Sequence, residues 1–88
     1  MKEKELEKVL KALANRRRLA ILKYIQSEKE ATVGDIAEAI KLSFRSTSKH
    51  LGVLVAAGIL DREQRSVQMF HFLSDDLPEA ARRILSLF

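Results

Sequence analysis

The chain has 88 residues, a formal net charge of +4 and no cysteine. That length fits one domain, too small to be more than marginally stable alone, so self-association is expected. The missing thiols exclude disulfides, zinc–thiolate sites and thiol catalysis together, and they fit a reducing cytoplasm.

No segment approaches the roughly 20 apolar residues of a membrane span. The charged start, MKEKELEK, reads as helix and not as a signal peptide. The positive charge fits either an ordinary basic protein or a binder of polyanions. No repeat, long linker or low-complexity segment interrupts the chain.

Residues 2–14 place Leu6, Val9, Leu10 and Leu13 at i, i+3, i+4 and i+7, which predicts an amphipathic helix. Glutamates lead it and lysines follow, as the helix dipole favours. Its stripe suits either core or half of a subunit interface. Asn15 is a candidate N-cap for a second helix over 16–27, where Leu19, Ile21, Leu22, Tyr24 and Ile25 supply a wide apolar surface. Three arginines, Arg16, Arg17 and Arg18, open that helix against its dipole. The compensation is DNA phosphate or a neighbouring carboxylate; the alternative is a solvated cluster. Residues 28–31 read as a short polar connection.

Residues 32–60 read as two short helices joined by a tight turn. Thr32 caps the first, with Asp35 placed to reach back and close the cap. Ile36, Ala37 and Ile40 form its apolar face. Leu42 plugs the angle between the helices and Ser43 caps the second. In that helix Thr47, Leu51, Leu54 and Gly58 recur at spacings of 4, 3 and 4, with Val55 alongside, which marks the buried side. Arg45, Lys49 and Gly52 project from the other side, beside Ser46 and Ser48. The exposed first half is therefore basic, hydroxyl-rich and free of acid. A helix whose first turns enter a DNA major groove needs those properties.

Gly58 ends that helix. Residues 59–63 read as a strand and 67–73 as a second, in which Val67, Met69 and His71 alternate with Gln68, Phe70 and Phe72. Their connection, Gln64-Arg65-Ser66, lacks the Asn-Gly or Gly-Gly of a tight hairpin. A basic-tipped hairpin after such a helix pair is a wing, with Arg62 and Arg65 beside the DNA. Asp76, Pro78 and Glu79 then start a last helix, with Asp76 as cap and Glu79 completing a capping box. Leu77, Ala81, Ile84 and Phe88 recur along it, and its natural partner is the first helix, from the same or another subunit. The expected fold is mainly α with a small β-hairpin: five helices plus a two-stranded wing.

Three stretches carry a resemblance: KALANRRRLAILKYI, TVGDIAEAIKLSFRSTSKHLGVLVAAGIL and DREQRSVQMFHFLS. In that order and spacing, over about three quarters of the chain, they resemble the ArsR type of winged-helix transcriptional regulators. The resemblance implies a homodimer built on the terminal helices, about 2–14 and 76–87. Leu6, Leu10 and Leu13 would meet Leu77, Ile84 and Phe88 at or near the interface. It implies a repressor reading a palindromic operator in double-stranded DNA. The recognition helix begins at Ser43, with Arg45, Ser46, Ser48, Lys49 and His50 toward DNA and Arg62 and Arg65 in the wing. Three positions depart from the family. Lys41 stands where glycine is common, and a left-handed lysine costs about 1 kcal/mol. Thr47 stands where an apolar residue is usual, and the wing turn lacks its glycine.

Family metal sensors of the thiol class carry Cys-Val-Cys where this chain has Thr32-Val33-Gly34, which offers a soft ion nothing to bind. A second class holds zinc between C-terminal helices with aspartate and histidine. Here Asp75, Asp76 and Glu79 supply oxygen, but that helix has no histidine, and His50 and His71 belong to the recognition helix and the wing. A tetrahedral zinc site cannot be assembled from these. The expectation is a metal-independent regulator with no cofactor, whose inducer and operator the sequence does not name.

His71 is read as structural, and Phe70 and Phe72 as core or interface. His50 is read as a phosphate contact, with packing on the wing as the alternative. An enzyme is not expected: Ser46, Ser48 and His50 lack an acid to orient the histidine. The competing reading is a winged helix used as a protein-interaction module with an acidic partner.

Overall fold

The first helix, α1, spans Glu3–Leu13 in the computed structural model, which describes residues 2–88. It buries Val9, Ala12 and Leu13. The second, α2, spans Arg16–Glu28, one residue longer than expected. Asn15 caps it by accepting the Arg18 N–H at 3.0 Å. Lys29 ends it in a positive-φ conformation (φ 76°), its N–H returning to the Ile25 carbonyl. Ile21, Leu22 and Ile25 are fully buried. Each contributes about 1.5–3 kcal/mol of apolar burial, and α2 packs on five other elements: α1, α3 (Val33–Ile40), α4 (Phe44–Ala56), β1 (Glu30–Thr32) and β3 (Gln68–Leu73) surround it.

Both helix starts expected in the central pair are present. The Asp35 N–H donates to Thr32 Oγ1 at 3.2 Å and the Ser46 N–H to Ser43 Oγ at 3.1 Å. The reciprocal bond, from the Thr32 N–H to the Asp35 carboxylate, is absent among the described residues, so the cap is half of the expected box. Lys41 ends α3 in the left-handed region (φ 56°, ψ 52°). The Leu42 N–H reaches the Ala37 carbonyl at 3.0 Å, closing a Schellman turn. The same pattern ends α4 at Gly58 (φ 76°), where Ile59 N–H bonds the Leu54 carbonyl at 3.0 Å. Glycine carries that φ without strain; Lys41 does not.

The sheet corrects the expected two-stranded wing. It has three antiparallel strands in the order β1-β3-β2, with β2 at Leu60–Arg65. Residues 30–32, expected within or beside a polar connection, pair with β3: Glu30 with Phe72, Ala31 with His71, Thr32 with Phe70. Glu30 and Ala31 have weak strand propensity, and three residues are too few to show a period; their pairing with β3 makes them a strand. In the wing, Arg65 pairs with Gln68, leaving a two-residue turn of Ser66 and Val67. Ser66 takes the positive φ (59°) that glycine usually supplies in such turns. Ala31, Leu60 and His71 point inward. Glu30, Glu63, Arg65 and Phe70 share the outer face, as strand alternation requires.

The last helix, α5, is shorter than expected, at Glu79–Leu85 in place of 76–87. Pro78, not Asp76, precedes it, and no side chain caps it. The Asp76 N–H is turned onto Ser74 Oγ (3.2 Å), and the Glu79 carboxylate pairs forward with Arg82 (2.6 Å) and Arg83 (3.1 Å). Ala81 and Leu85 close the core against α1.

Candidate nucleic-acid interface

The turn at Lys41 and the cap at Ser43 aim the N-terminus of α4 outward. Arg45, Ser48 and Lys49 are exposed, Ser46 is half-buried, and Thr47 is fully buried. No acid occurs from Lys41 to Leu60. The positive end of the α4 dipole and two cations that pair with no acid among the described residues therefore act together on any nearby anion.

Phe44, the first residue of α4, is 63% exposed. Periodicity misses this residue, because its spacing to Thr47 and Leu51 assigns it to the buried side. At the first helical position nothing N-terminal covers it, and its neighbours are Gly34 and the wing-tip residues Val67 and Met69. Phe44 thus joins the surface of Arg45, Ser48 and Lys49.

His50 is half-buried and lies against α2, not the wing: its Nδ1 is 3.1 Å from Arg18 Nη1. Burial, then Arg18, then Arg17 hold the imidazole toward its neutral form, below the usual histidine range. Arg18 also donates from Nε to the Ala12 carbonyl (2.5 Å) and from Nη2 to the Lys11 carbonyl (3.0 Å). A cation on the unpaired carbonyls at the end of α1 suits the dipole of that helix. One side chain therefore joins α1, α2 and α4. Nothing in the linear sequence marks Arg18 apart from Arg16 and Arg17.

The two wing arginines differ. Arg62 is exposed on the same sheet side as His71, its register partner. Arg65 lies on the outer face and crosses β3. Its guanidinium sits 4.5 Å from the centre of the Phe70 ring, binds both oxygens of Glu30 (2.6 and 2.9 Å) and takes Glu63 Oε1 at 2.6 Å. The bonds to Glu30 and Glu63 raise the Arg65 pKa, and the bond from Arg65 holds Glu30 below the usual carboxylate range. Its charge is locally neutralised, and the clamp ties β2 to β1 over Phe70. His71 is 2% exposed with Nδ1 unpaired; burial, then Arg62, keep it toward neutral.

The six residues expected at the dimer interface divide. Leu10 and Phe88 are 46% and 47% exposed, Leu6, Leu77 and Ile84 are half-buried, and Leu13 belongs to the core. Leu10, Ile84, Leu87 and Phe88 line an apolar groove where α1 meets the end of α5. No group of three or more metal-ligating side chains occurs among the described residues. No helix among them is long and apolar enough to cross a membrane.

The helix-turn-helix domain family model matches residues 13–63. The chain is 35% identical over 80 residues to the biofilm growth-associated repressor of Agrobacterium fabrum, covering 91% of this chain and 66% of that protein. It is 32% identical over 77 residues to the transcriptional activator HlyU of Vibrio cholerae, covering 88% and 70%. A solved structure of that HlyU superposes with a TM-score of 0.82 at 28% identity, over 99% of this chain and 92% of that one. The homodimeric winged helix-turn-helix DNA-binding domain of a Mycobacterium bovis protein, a possible ArsR-family regulator, superposes at 0.81 with 27% identity, over 96% and 74%. The chain thus spans about two thirds of the length of the curated relatives it matches.

Proposed function

The chain belongs to the ArsR-type winged helix-turn-helix transcriptional regulators, and from that premise we propose that it is a homodimeric, metal-independent repressor acting in the cytoplasm on double-stranded DNA. The observation that carries the reading is the exposed, acid-free first half of α4, which presents Arg45, Ser48 and Lys49, with Arg62 also exposed on the wing. The helix lies in the major groove; Arg45 and Lys49 reach base edges or phosphates, and Ser46 and Ser48 add hydroxyl contacts. Arg62 contacts backbone from the wing. Arg65 and His50 act as positioning residues, the first stiffening the wing and the second seating α4 on Arg18. Two subunits meet through the apolar groove of α1 and α5, which sets two recognition helices roughly 34–36 Å apart on a two-fold site. Occupying a promoter represses it, with no catalytic step and no cofactor.

The test is duplex binding by fluorescence anisotropy with DNA selected from a random-sequence library. Arg45→Ala and Lys49→Ala each weaken binding by about 1–3 kcal/mol where they read bases, and by less where they touch phosphate. Full binding by the double variant removes α4 as the recognition element. Retention of the wild type on an acidic polymer with no binding to any duplex favours the protein-interaction module instead.

A further inference from the structure

The three arginines that open α2 have separate fates. Arg18 is consumed by the end of α1 and by His50. Arg16 and Arg17 are exposed, and neither forms a hydrogen bond or an ion pair among the described residues. The first turn of α2 has no acid to offset them, and the helix dipole repels them. In the free protein these two guanidinium groups work against the fold.

Their surroundings say what they face. Arg16 and Arg17 line a shallow groove with Ala39 and Ile40, the last residues of α3 before Lys41. On its other flank, Arg17 lies close enough to His50 of α4 to hold that imidazole toward neutral, behind burial and Arg18. The start of α2 therefore flanks the elbow between α3 and α4, beside the half of α4 that exposes Arg45 and Lys49. Lys41 is exposed at that elbow.

We propose that Arg16 and Arg17 bind the DNA phosphate backbone beside the major groove that α4 enters, as a contact separate from the recognition helix and the wing. This rests on the DNA-binding reading above. A guanidinium fork matches phosphate oxygens, and the anion offsets the repulsion that these cations meet in the free helix. Phosphate contacts carry no base information, so the pair adds affinity and register and not specificity.

The experiment compares wild type, Arg16→Ala/Arg17→Ala and Arg16→Lys/Arg17→Lys on a library-selected duplex and a scrambled one across a salt series. Each lost phosphate contact lowers the magnitude of the slope of log K against log salt by about 0.9, so the alanine pair lowers it by about 2 per protomer. The expected affinity loss is the same factor on both duplexes. The lysine pair, which keeps the charge, restores the slope. The alanine pair leaves the thermal midpoint unchanged or raises it, because it removes charges that the dipole repels. An unchanged slope in the alanine pair, a loss confined to the selected duplex, or a loss that lysine does not restore overturns the inference alone. A wild type that binds no duplex overturns it together with the DNA-binding reading.

Discussion

Thr47→Val should stabilise this protein. Thr47 is fully buried on the inner side of α4, in line with Leu51 and Leu54, and its Oγ1 has no hydrogen-bond partner. Folding strips water from that hydroxyl and returns nothing. Valine has the same branched shape, so packing is retained, and the helix propensities of the two residues are close. Removing an unsatisfied buried hydroxyl recovers about 1–3 kcal/mol. Rotation of the hydroxyl toward the carbonyl four residues back would recover part of that, so the lower half of the range, about 1–2 kcal/mol, applies. For a domain of this size that raises Tm by about 5–10 °C. Thr47→Ser, which keeps the hydroxyl and removes a methyl, should lose about 1 kcal/mol. Urea unfolding at one fixed protein concentration measures all three, since a dimer's apparent stability depends on concentration. The predicted order is Val above Thr above Ser at equal m-values, with DNA affinity unchanged. A valine variant no more stable than wild type refutes the reasoning.

Arg62→Ala should lower the salt slope of DNA binding by about 1 per protomer, whereas Arg65→Ala should weaken binding with the slope unchanged, because Glu30 and Glu63 already neutralise Arg65; equal slope losses count against the clamp. His50 and His71 sit below the 6.5 of the unfolded chain, so the unfolded state binds more protons below that pH. Stability is then fully present above about pH 6.5 and falls as pH drops through the lowered folded values; a Tm that rises between pH 7 and 5.5 on acidification contradicts this (roughly the window in which the linkage acts). Leu10→Glu/Phe88→Glu should yield a one-chain mass by light scattering at micromolar concentration, with DNA affinity lost; a retained dimer moves the interface elsewhere. Calorimetric titration with zinc or cadmium should show no stoichiometric binding, and binding that releases DNA would overturn the metal-independent reading.

Much of the molecule is legible in the linear chain because it rests on local rules. Periodicities of three and four residues set the helices. The hydroxyls of Thr32 and Ser43 mark their starts, and Gly58 marks an end, because capping and left-handed turns involve neighbours within a few residues. The acid-free run of Arg45 to Lys49 is a property of sequence alone, as is the absence of thiols. The family follows from the order of those pieces.

Other features are decided by partners distant in sequence. Glu30–Thr32 is a strand because β3 is beside it, and Glu-Ala-Thr carries no pattern that says so. Arg65 and Arg62 are alike in the sequence, but strand alternation and a carboxylate 35 residues away clamp one and leave the other without an ion pair among the described residues. Arg16, Arg17 and Arg18 are adjacent and identical, yet only Arg18 reaches the carbonyls of α1 and the ring of His50, 32 residues on. The start of α5 moved from Asp76 to Glu79 because Ser74 and Pro78 shape the turn before it. A side chain's type states what it can bind; which partner it binds is set by the fold, since opposed strands and crossing helices bring together groups that sequence distance keeps apart.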